Sequence, residues 1–448
     1  MATQPNVIVV LTDQQRWDTT GLHGNPLDLT PNLDRAGREG THVRRSFTCQ
    51  PVCAPARASL QTGLYATQAG CHVNGIPLDP DLPTLATWFK GAGYRTGYIG
   101  KWHLASEEPV PPGQRGGYED WLAANLLEFS SDAYSTVVYD EAGSPRTLPG
   151  YRVDALTDAA IRYVDDHQAE PFFLFVSYLE PHHQNGRDDY PAPTGYRERY
   201  LGRWLPPDLA ALGGVAHQHY GGYCGMVKRL DEAYGRLLDA LASLGLTDDT
   251  IVLFTSDHGN HFKTRNDEYK RSLHDASIRV PTVLTGPRFT GGGEVRQLVS
   301  LVDLPPTLLD AAGIAIPAEL PGRSLLDLIE RRGGDRWPEE VFIQISESEV
   351  GRAIRTARWK FGVVAPDSVP LDAPGSEMYR ESELYDLMAD PYELYNLIGE
   401  ASHQLLCERL AERLVARMDH AGEPPARIVP VEKRPSGQRR VSEADLRA

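Results

Sequence analysis

The sequence predicts an α/β fold: a large, mostly parallel sheet sandwiched by helices, followed by a smaller C-terminal α+β domain carrying a short antiparallel sheet. Three observations predict it. Four short apolar runs each end abruptly in polar residues able to do chemistry. Helical patterns lie between those runs, as in strand-helix-strand units. Past a polar, glycine-containing break at 331–338 the pattern turns to short runs of antiparallel type. The expected division is a catalytic domain over 1–335, a C-terminal subdomain over 336–422 and an extended tail over 423–448. A chain of 448 residues can bury a core of that size.

The first run, 6–12, is β-branched throughout and ends in Asp13-Gln14. The run at 95–100 leads into Lys101-Trp102-His103, and that at 171–179 into Glu180-Pro181-His182-His183. The run at 250–256 is a near twin of the first and ends in Asp257-His258-Gly259. Continuous apolar runs suit strands buried on both faces. Helical patterns at 85–92, 152–167 and 220–244 fall between or beside them, and the aromatic and leucine spacing over 223–241 is a core-facing stripe. In such sheets ligands bind beyond the carboxyl ends of the strands. Asp13, Lys101, His182 and Asp257 are therefore expected to converge on one edge. Asp13 and Asp257 are candidate hard ligands for a divalent cation, with His258 offering an imidazole and Gln14 a carbonyl oxygen. Without a cation, the two carboxylates would repel one another.

Cys53-Ala54-Pro55-Ala56-Arg57 opens a further helix. Pro55 suits a first turn, where its missing N–H is no loss. Cys53 is expected just ahead of that helix, where free N–H groups and the dipole favour an anion. Arg57, about one turn in, offers a planar fork to a tetrahedral oxyanion or to the ionised nucleophile. In the C-terminal region, 340–346, 351–356 and 359–364 read as short antiparallel strands, and a helix at 403–418 is expected to pack on them.

The string from Cys53 through Ser59-Leu60-Gln61-Thr62-Gly63 resembles the C-x-P-x-R signature of the sulfatases. Gly100-Lys101-Trp102-His103-Leu104 resembles the second signature of that family, Pro181-His182 its Pro-His element, and 383–397 the element closing its C-terminal domain. The resemblance runs from residue 6 to about 397. It implies a formylglycine-dependent sulfatase of the alkaline phosphatase-like superfamily, a sulfuric ester hydrolase. Cys53 would be oxidised by a formylglycine-generating enzyme, and the hydrate of the resulting aldehyde would be the nucleophile. By the same resemblance Lys101 and Lys270 contact sulfate, His103 hydrogen-bonds the hydrate, and His182 or Lys270 protonates the leaving oxygen. The ligand set implied for one divalent cation is Asp13, Gln14, Asp257, His258 and the modified Cys53, with calcium ranked above magnesium and manganese. The substrate implied is a small sulfate ester, a carbohydrate sulfate ahead of an aryl sulfate. Two positions depart from the family pattern: Gln14 replaces a second aspartate, and His274 a tyrosine four residues after Lys270. Two other readings are a phosphodiesterase or phosphonate monoester hydrolase of the same superfamily, and a metal- and sulfate-binding protein that never matures. Specificity is assigned to loops at 107–112, 184–207 and 260–267. Asn74 is noted as a residue that could reach substrate, and His183 is read as structural or peripheral.

Composition excludes some partners. A formal net charge of −16 argues against nucleic acid, whose phosphates need basic clusters. No run reaches membrane-spanning length. The first residues lack the basic flank and apolar stretch of a leader, so a cytoplasmic location is expected. The five cysteines have no paired zinc spacing. Nothing in the sequence fixes the oligomeric state.

Overall fold

The computed structural model describes residues 4–332 and 336–432. In the larger sheet the strands are β1 (Asn6–Thr12), β2 (Thr41–Phe47), β3 (Arg95–Lys101), β4 (Asp120–Ala124), β5 (Thr136–Tyr139), β6 (Pro145–Leu148), β7 (Phe172–Ser177), β8 (Thr250–Ser256), β9 (Arg279–Val280), β10 (Thr282–Thr285) and β11 (Gly293–Ser300). Their order is β11-β2-β10-β8-β1-β7-β3-β4-β5-β6, with β9 pairing beside β2. The block β8-β1-β7-β3-β4 is parallel. Its flanks are mixed: β10 runs antiparallel to both β8 and β2, and β5 and β6 form an antiparallel ribbon. The four apolar runs are thus the four central strands, and the parallel character is concentrated there.

Alternation along β1 explains why that strand is apolar throughout. Val7, Val9 and Leu11 enter one core with Ala54, Leu60, Leu85, Phe89 and Leu308. Ile8 and Val10 enter the other with Leu33, Leu156, Ala160, Leu230 and Leu237. Helices therefore cover both faces, and neither set of strand side chains meets water. Register then sets the level of the strand ends. Thr12 pairs with Ser256, Leu11 with Ser177, and Gly100 with Ser177. Asp13, Asp257, Lys101 and the residues after Ser177 consequently leave the sheet side by side.

The second sheet holds β12 (Glu340–Ile345), β13 (Gly351–Thr356), β14 (Trp359–Val364), β15 (Met378–Asp386) and β16 (Arg427–Val429), in that order. All neighbours are antiparallel except β15 and β16. A helix over Gln404–His420 lays Cys407, Leu410, Leu414 and Met418 into its core. The stretch expected to begin an extended tail at 423 instead joins this sheet. Glu423 is buried on Arg352, so that this buried cation is paired, and β16 pairs with β15. Positions 433–448 of that expected tail lie outside the described residues. The two sheets share a core in which Phe47, Leu273 and Leu298 meet Val341, Ile343 and Tyr385. Among the described residues no helix is long and apolar enough to cross a membrane.

Candidate active site

Cys53 is the first residue of a helix over Cys53–Thr62, one position further in than expected. The helix ends where Gly63 takes a left-handed conformation, φ 71°, which a glycine adopts without strain. Its first turn is organised by a residue 20 positions downstream: the Ala54 N–H donates to Asn74 Oδ1 at 3.1 Å. Asn74 is held in turn by Glu347 of the C-terminal domain, which accepts its backbone N–H at 2.6 Å. The Cys53 side chain is 2 % exposed and faces the carboxyl ends of β1, β3 and β8.

The predicted residues meet around it. Cys53 Sγ lies 2.7 Å from Lys270 Nζ, 3.3 Å from His258 Nε2, 3.7 Å from Asp13 Oδ1 and 3.9 Å from Lys101 Nζ. Burial pushes the thiol up, but Lys101, Lys270 and His258 pull harder, so its pKa is held well below the ordinary thiol range. His182 Nδ1 donates to the His183 carbonyl at 2.6 Å, which turns Nε2 toward Lys270 Nζ at 3.3 Å. His103, with a left-handed backbone at φ 60°, contacts Cys53 from the β3 side.

Arg57 has a different task from the one its spacing predicts. Its Nη2 donates to Asp13 Oδ2 at 3.0 Å and its Nε to Asp257 Oδ2 at 3.2 Å. Its Nη1 donates to Ser177 Oγ at 2.7 Å and to the Lys101 carbonyl at 2.8 Å. A guanidinium so engaged has no fork left for a substrate oxyanion. Arg57 is a positioning residue, tying the ends of β1, β3, β7 and β8 together behind the site. Lys101 Nζ is also anchored, at 2.8 Å to Asp13 Oδ2 and 2.9 Å to Glu128 Oε1.

Asp13, Cys53, Asp257 and His258 place their donor atoms within 4.8 Å of one another, all buried. His258 Nδ1 donates to the Gly259 carbonyl at 2.9 Å, leaving the Nε2 lone pair 3.6 Å from both Asp13 Oδ1 and Asp257 Oδ1. Adjacent ligands at right angles on a cation with 2.3–2.6 Å bonds stand about 3.5 Å apart, so the spacing fits a hard divalent ion. The carboxylates are already poised. Burial and the Cys53 sulfur raise Asp13, but Lys101, His182 and Arg57 outweigh them and hold it below the usual range. Burial and the Asp13 charge push Asp257 up. Gln14, at φ 69°, donates its backbone N–H to Asp257 Oδ1, and its buried Nε2 has no partner among the described residues. The unpartnered end is the amide nitrogen, a donor; the carbonyl oxygen, the atom a cation would take, faces the His183 N–H and Nδ1 at 3.4 Å each.

Of this cluster Cys53 reaches the floor of an open cavity of about 550 Å³, which His103, His182 and Lys270 also line. Its lining brings in residues that sequence reasoning missed. Glu128 is buried against Lys101 and 4.0 Å from His103 Nδ1. Arg271, and with it Asn74, already noted as able to reach substrate, come from the Glu347 clamp, where Arg271 Nη2 pairs with Glu347 at 2.5 Å. His183, read as peripheral, lines the cavity and stacks between His182 and Tyr269, each ring 4.4 Å away. Of the three loops assigned to specificity, only 184–207 contributes, through Asn185; 74–76, 103–106, 125–129 and 268–271 form most of the wall instead. His274 is outside it, bonded to Tyr385 Oη at 3.1 Å.

Comparison with known proteins agrees with this geometry. The sulfatase family profile matches residues 5–314, and a profile described as N-sulphoglucosamine sulphohydrolase, C-terminal, matches 267–420. An ulvan-active sulfatase of Formosa agariphila is 30% identical over 94% of this chain and 82% of its own. An N-acetylglucosamine-6-O-sulfatase of Bacteroides thetaiotaomicron is 23% identical over 89% and 84%. The crystal structure of the putative sulfatase yidJ from Bacteroides fragilis superposes with a TM-score of 0.81 at 25% identity, covering 94% of this chain and 97% of that one. With the family profile spanning most of the chain and the signature residues gathered at one sheet edge, the chain belongs to the sulfatase family of the alkaline phosphatase-like superfamily and is a sulfuric ester hydrolase.

Proposed function

We propose that the protein hydrolyses a carbohydrate sulfate ester at Cys53, after a formylglycine-generating enzyme has oxidised that residue. The observation that carries the reading is the position of Cys53 Sγ. It sits at a helix N-terminus, beside Asp13 and His258 and within 3.9 Å of Lys101 and Lys270, on the floor of an open cavity. The sulfur stands where the modified side chain's oxygens would be. The names of the ulvan-active and N-acetylglucosamine-6-O-sulfatase relatives support a carbohydrate as the alcohol portion.

The hydrated aldehyde supplies a nucleophilic hydroxyl and a second hydroxyl that allows the sulfated enzyme to be resolved. Asp13, Gln14, Asp257 and His258 would hold one divalent cation, calcium ahead of magnesium and manganese, which supplies positive charge to the transferring group. The chain's own groups do the rest. Lys270 and Lys101 place ammonium charge where negative charge develops, in a site closed to water behind. His182, its Nε2 toward Lys270, stands with that lysine to deliver a proton to the leaving oxygen. His103 is placed to take a proton from the side chain at position 53. Arg57 keeps the two aspartates aimed.

The test is release of inorganic sulfate from sulfated mono- and disaccharides, with an aryl sulfate, a phosphate diester and a phosphonate ester in parallel. The account expects a carbohydrate sulfate to give the highest kcat/KM, and Cys53→Ala to lower it by on the order of 10⁴-fold. Preference for the phosphonate or diester, or near-normal turnover by the variant, would overturn it.

A further inference from the structure

Phe129 is 65% exposed, yet nothing about it is loose. It belongs to a short helix over Leu127–Ser130 that directly follows β4. Leu127 before it is fully buried, and Glu128 is buried on Lys101 at 2.9 Å. Glu108 accepts the Asn125 N–H at 2.6 Å, and Gln184 Nε2 donates to the Glu128 and Ser131 carbonyls at 2.6 and 3.0 Å. The turn is pinned on every side except the one that carries the phenyl ring. That ring lines the same cavity whose floor is Cys53. A volume of about 550 Å³ exceeds what a sulfate group fills and lies within the range of small-molecule sites.

We propose that Phe129 is the platform for the sugar ring of the substrate, packing against its apolar C–H face and so setting specificity for the alcohol portion. The proposal rests on the sulfate-ester reading above and names what recognises the group beyond the sulfate. Three features argue for a sugar here. The ring is aromatic and open to water, in a cavity whose wall mixes apolar side chains such as Ile76 and Leu126 with polar ones. A pyranose offers one apolar face to it and hydroxyls to the remaining wall, where Asn74, Asn185 and Ser106 stand. Because Phe129 is one peptide link from Glu128, which anchors Lys101, platform and reacting centre keep a fixed separation.

The experiment compares wild type with Phe129→Ala and Phe129→Tyr, using N-acetylglucosamine 6-sulfate and glucose 6-sulfate as substrates and inorganic sulfate as a competitive product inhibitor. In Phe129→Ala, KM for the better sugar sulfate should rise roughly tenfold, with kcat held within about twofold, as loss of one aromatic contact predicts. The inhibition constant of inorganic sulfate, which has no ring, should not move. Phe129→Tyr should retain wild-type KM. An unchanged KM in Phe129→Ala overturns the proposal, and so does a parallel rise in the sulfate inhibition constant, which would mean the site itself had shifted. A change in oligomeric mass by light scattering with KM unchanged would assign the ring to self-association instead. If wild type turns over no sulfate ester at all, it is the underlying reading that has failed.

Discussion

Arg57→Met separates a positioning arginine from a substrate-binding one. The shorter, uncharged side chain removes every donation at once: to Asp13 Oδ2 at 3.0 Å, Asp257 Oδ2 at 3.2 Å, Ser177 Oγ at 2.7 Å and the Lys101 carbonyl at 2.8 Å. Asp13 keeps Lys101 as a partner, but Asp257 is left with the backbone N–H groups of Gln14 and His258. Removing one partner of a buried pair costs roughly 3–5 kcal/mol, chiefly through the charge left behind. At about 1 °C per kcal/mol for a chain of this length, EDTA-treated Arg57→Met should melt roughly 3–5 °C below EDTA-treated wild type. Calcium should restore part of that loss, since a divalent cation between the carboxylates replaces the missing charge. Differential scanning fluorimetry with EDTA and with calcium reads both effects. A variant melting within about 1 °C of wild type, with KM for sulfate esters raised instead, would refute the positioning role.

Three further outcomes are expected. Glu128→Gln, which keeps the shape but removes the charge beside Lys101 and His103, should lower kcat about 10- to 100-fold, on the scale of losing one electrostatic partner, with KM nearly constant in steady-state assays. Asn74→Ala removes the acceptor for Ala54 N–H and should cost about 1 kcal/mol in denaturant unfolding while also lowering kcat, because that helix turn carries Cys53. Asp231 accepts the Leu33 and Asn32 backbone N–H groups at 2.8 and 3.1 Å, and burial holds its pKa up at about 6 against their pull. The folded state thus binds this proton more tightly than the unfolded chain. Its contribution is fullest below pH 3.8 and is lost as pH rises toward 6, on the order of 3 kcal/mol. Asp231→Asn should flatten that part of the pH-stability curve, and an unchanged slope would count against it.

The central strands were legible because burial on both faces leaves a continuous apolar run that no exposed element shows. Asp13, Lys101, His182 and Asp257 were legible as candidates because parallel strands deliver their carboxyl ends to one edge. The short strands β4, β5 and β6 left no such signal. They sit at the sheet margin, where Asp120-Trp121-Leu122-Ala123-Ala124 is half-buried and mixed in character. Glu128 was invisible for a related reason: its burial is repaid by Lys101, a partner 27 positions away whose proximity follows from the pairing of β3 with β4. Arg57 was legible as a site cation, but the spacing within one helix cannot reveal that four strand ends converge behind it. Glu347 reaches Asn74 and Arg271 only through the packing of the second sheet on the first. Sequence position marks residues that can do chemistry; register and domain packing decide which of them touch the reacting atoms.

The central claim is that position 53 acts as an aldehyde and not as a thiol. Mass measurement of the Cys53 peptide from protein that releases sulfate tests it most directly. The account predicts a peptide about 18 Da lighter than the encoded one, or its hydrate, which has the encoded nominal mass but does not alkylate with iodoacetamide, in a fraction that tracks specific activity across preparations. Full activity from protein whose Cys53 peptide keeps the encoded mass and alkylates as a thiol would contradict it.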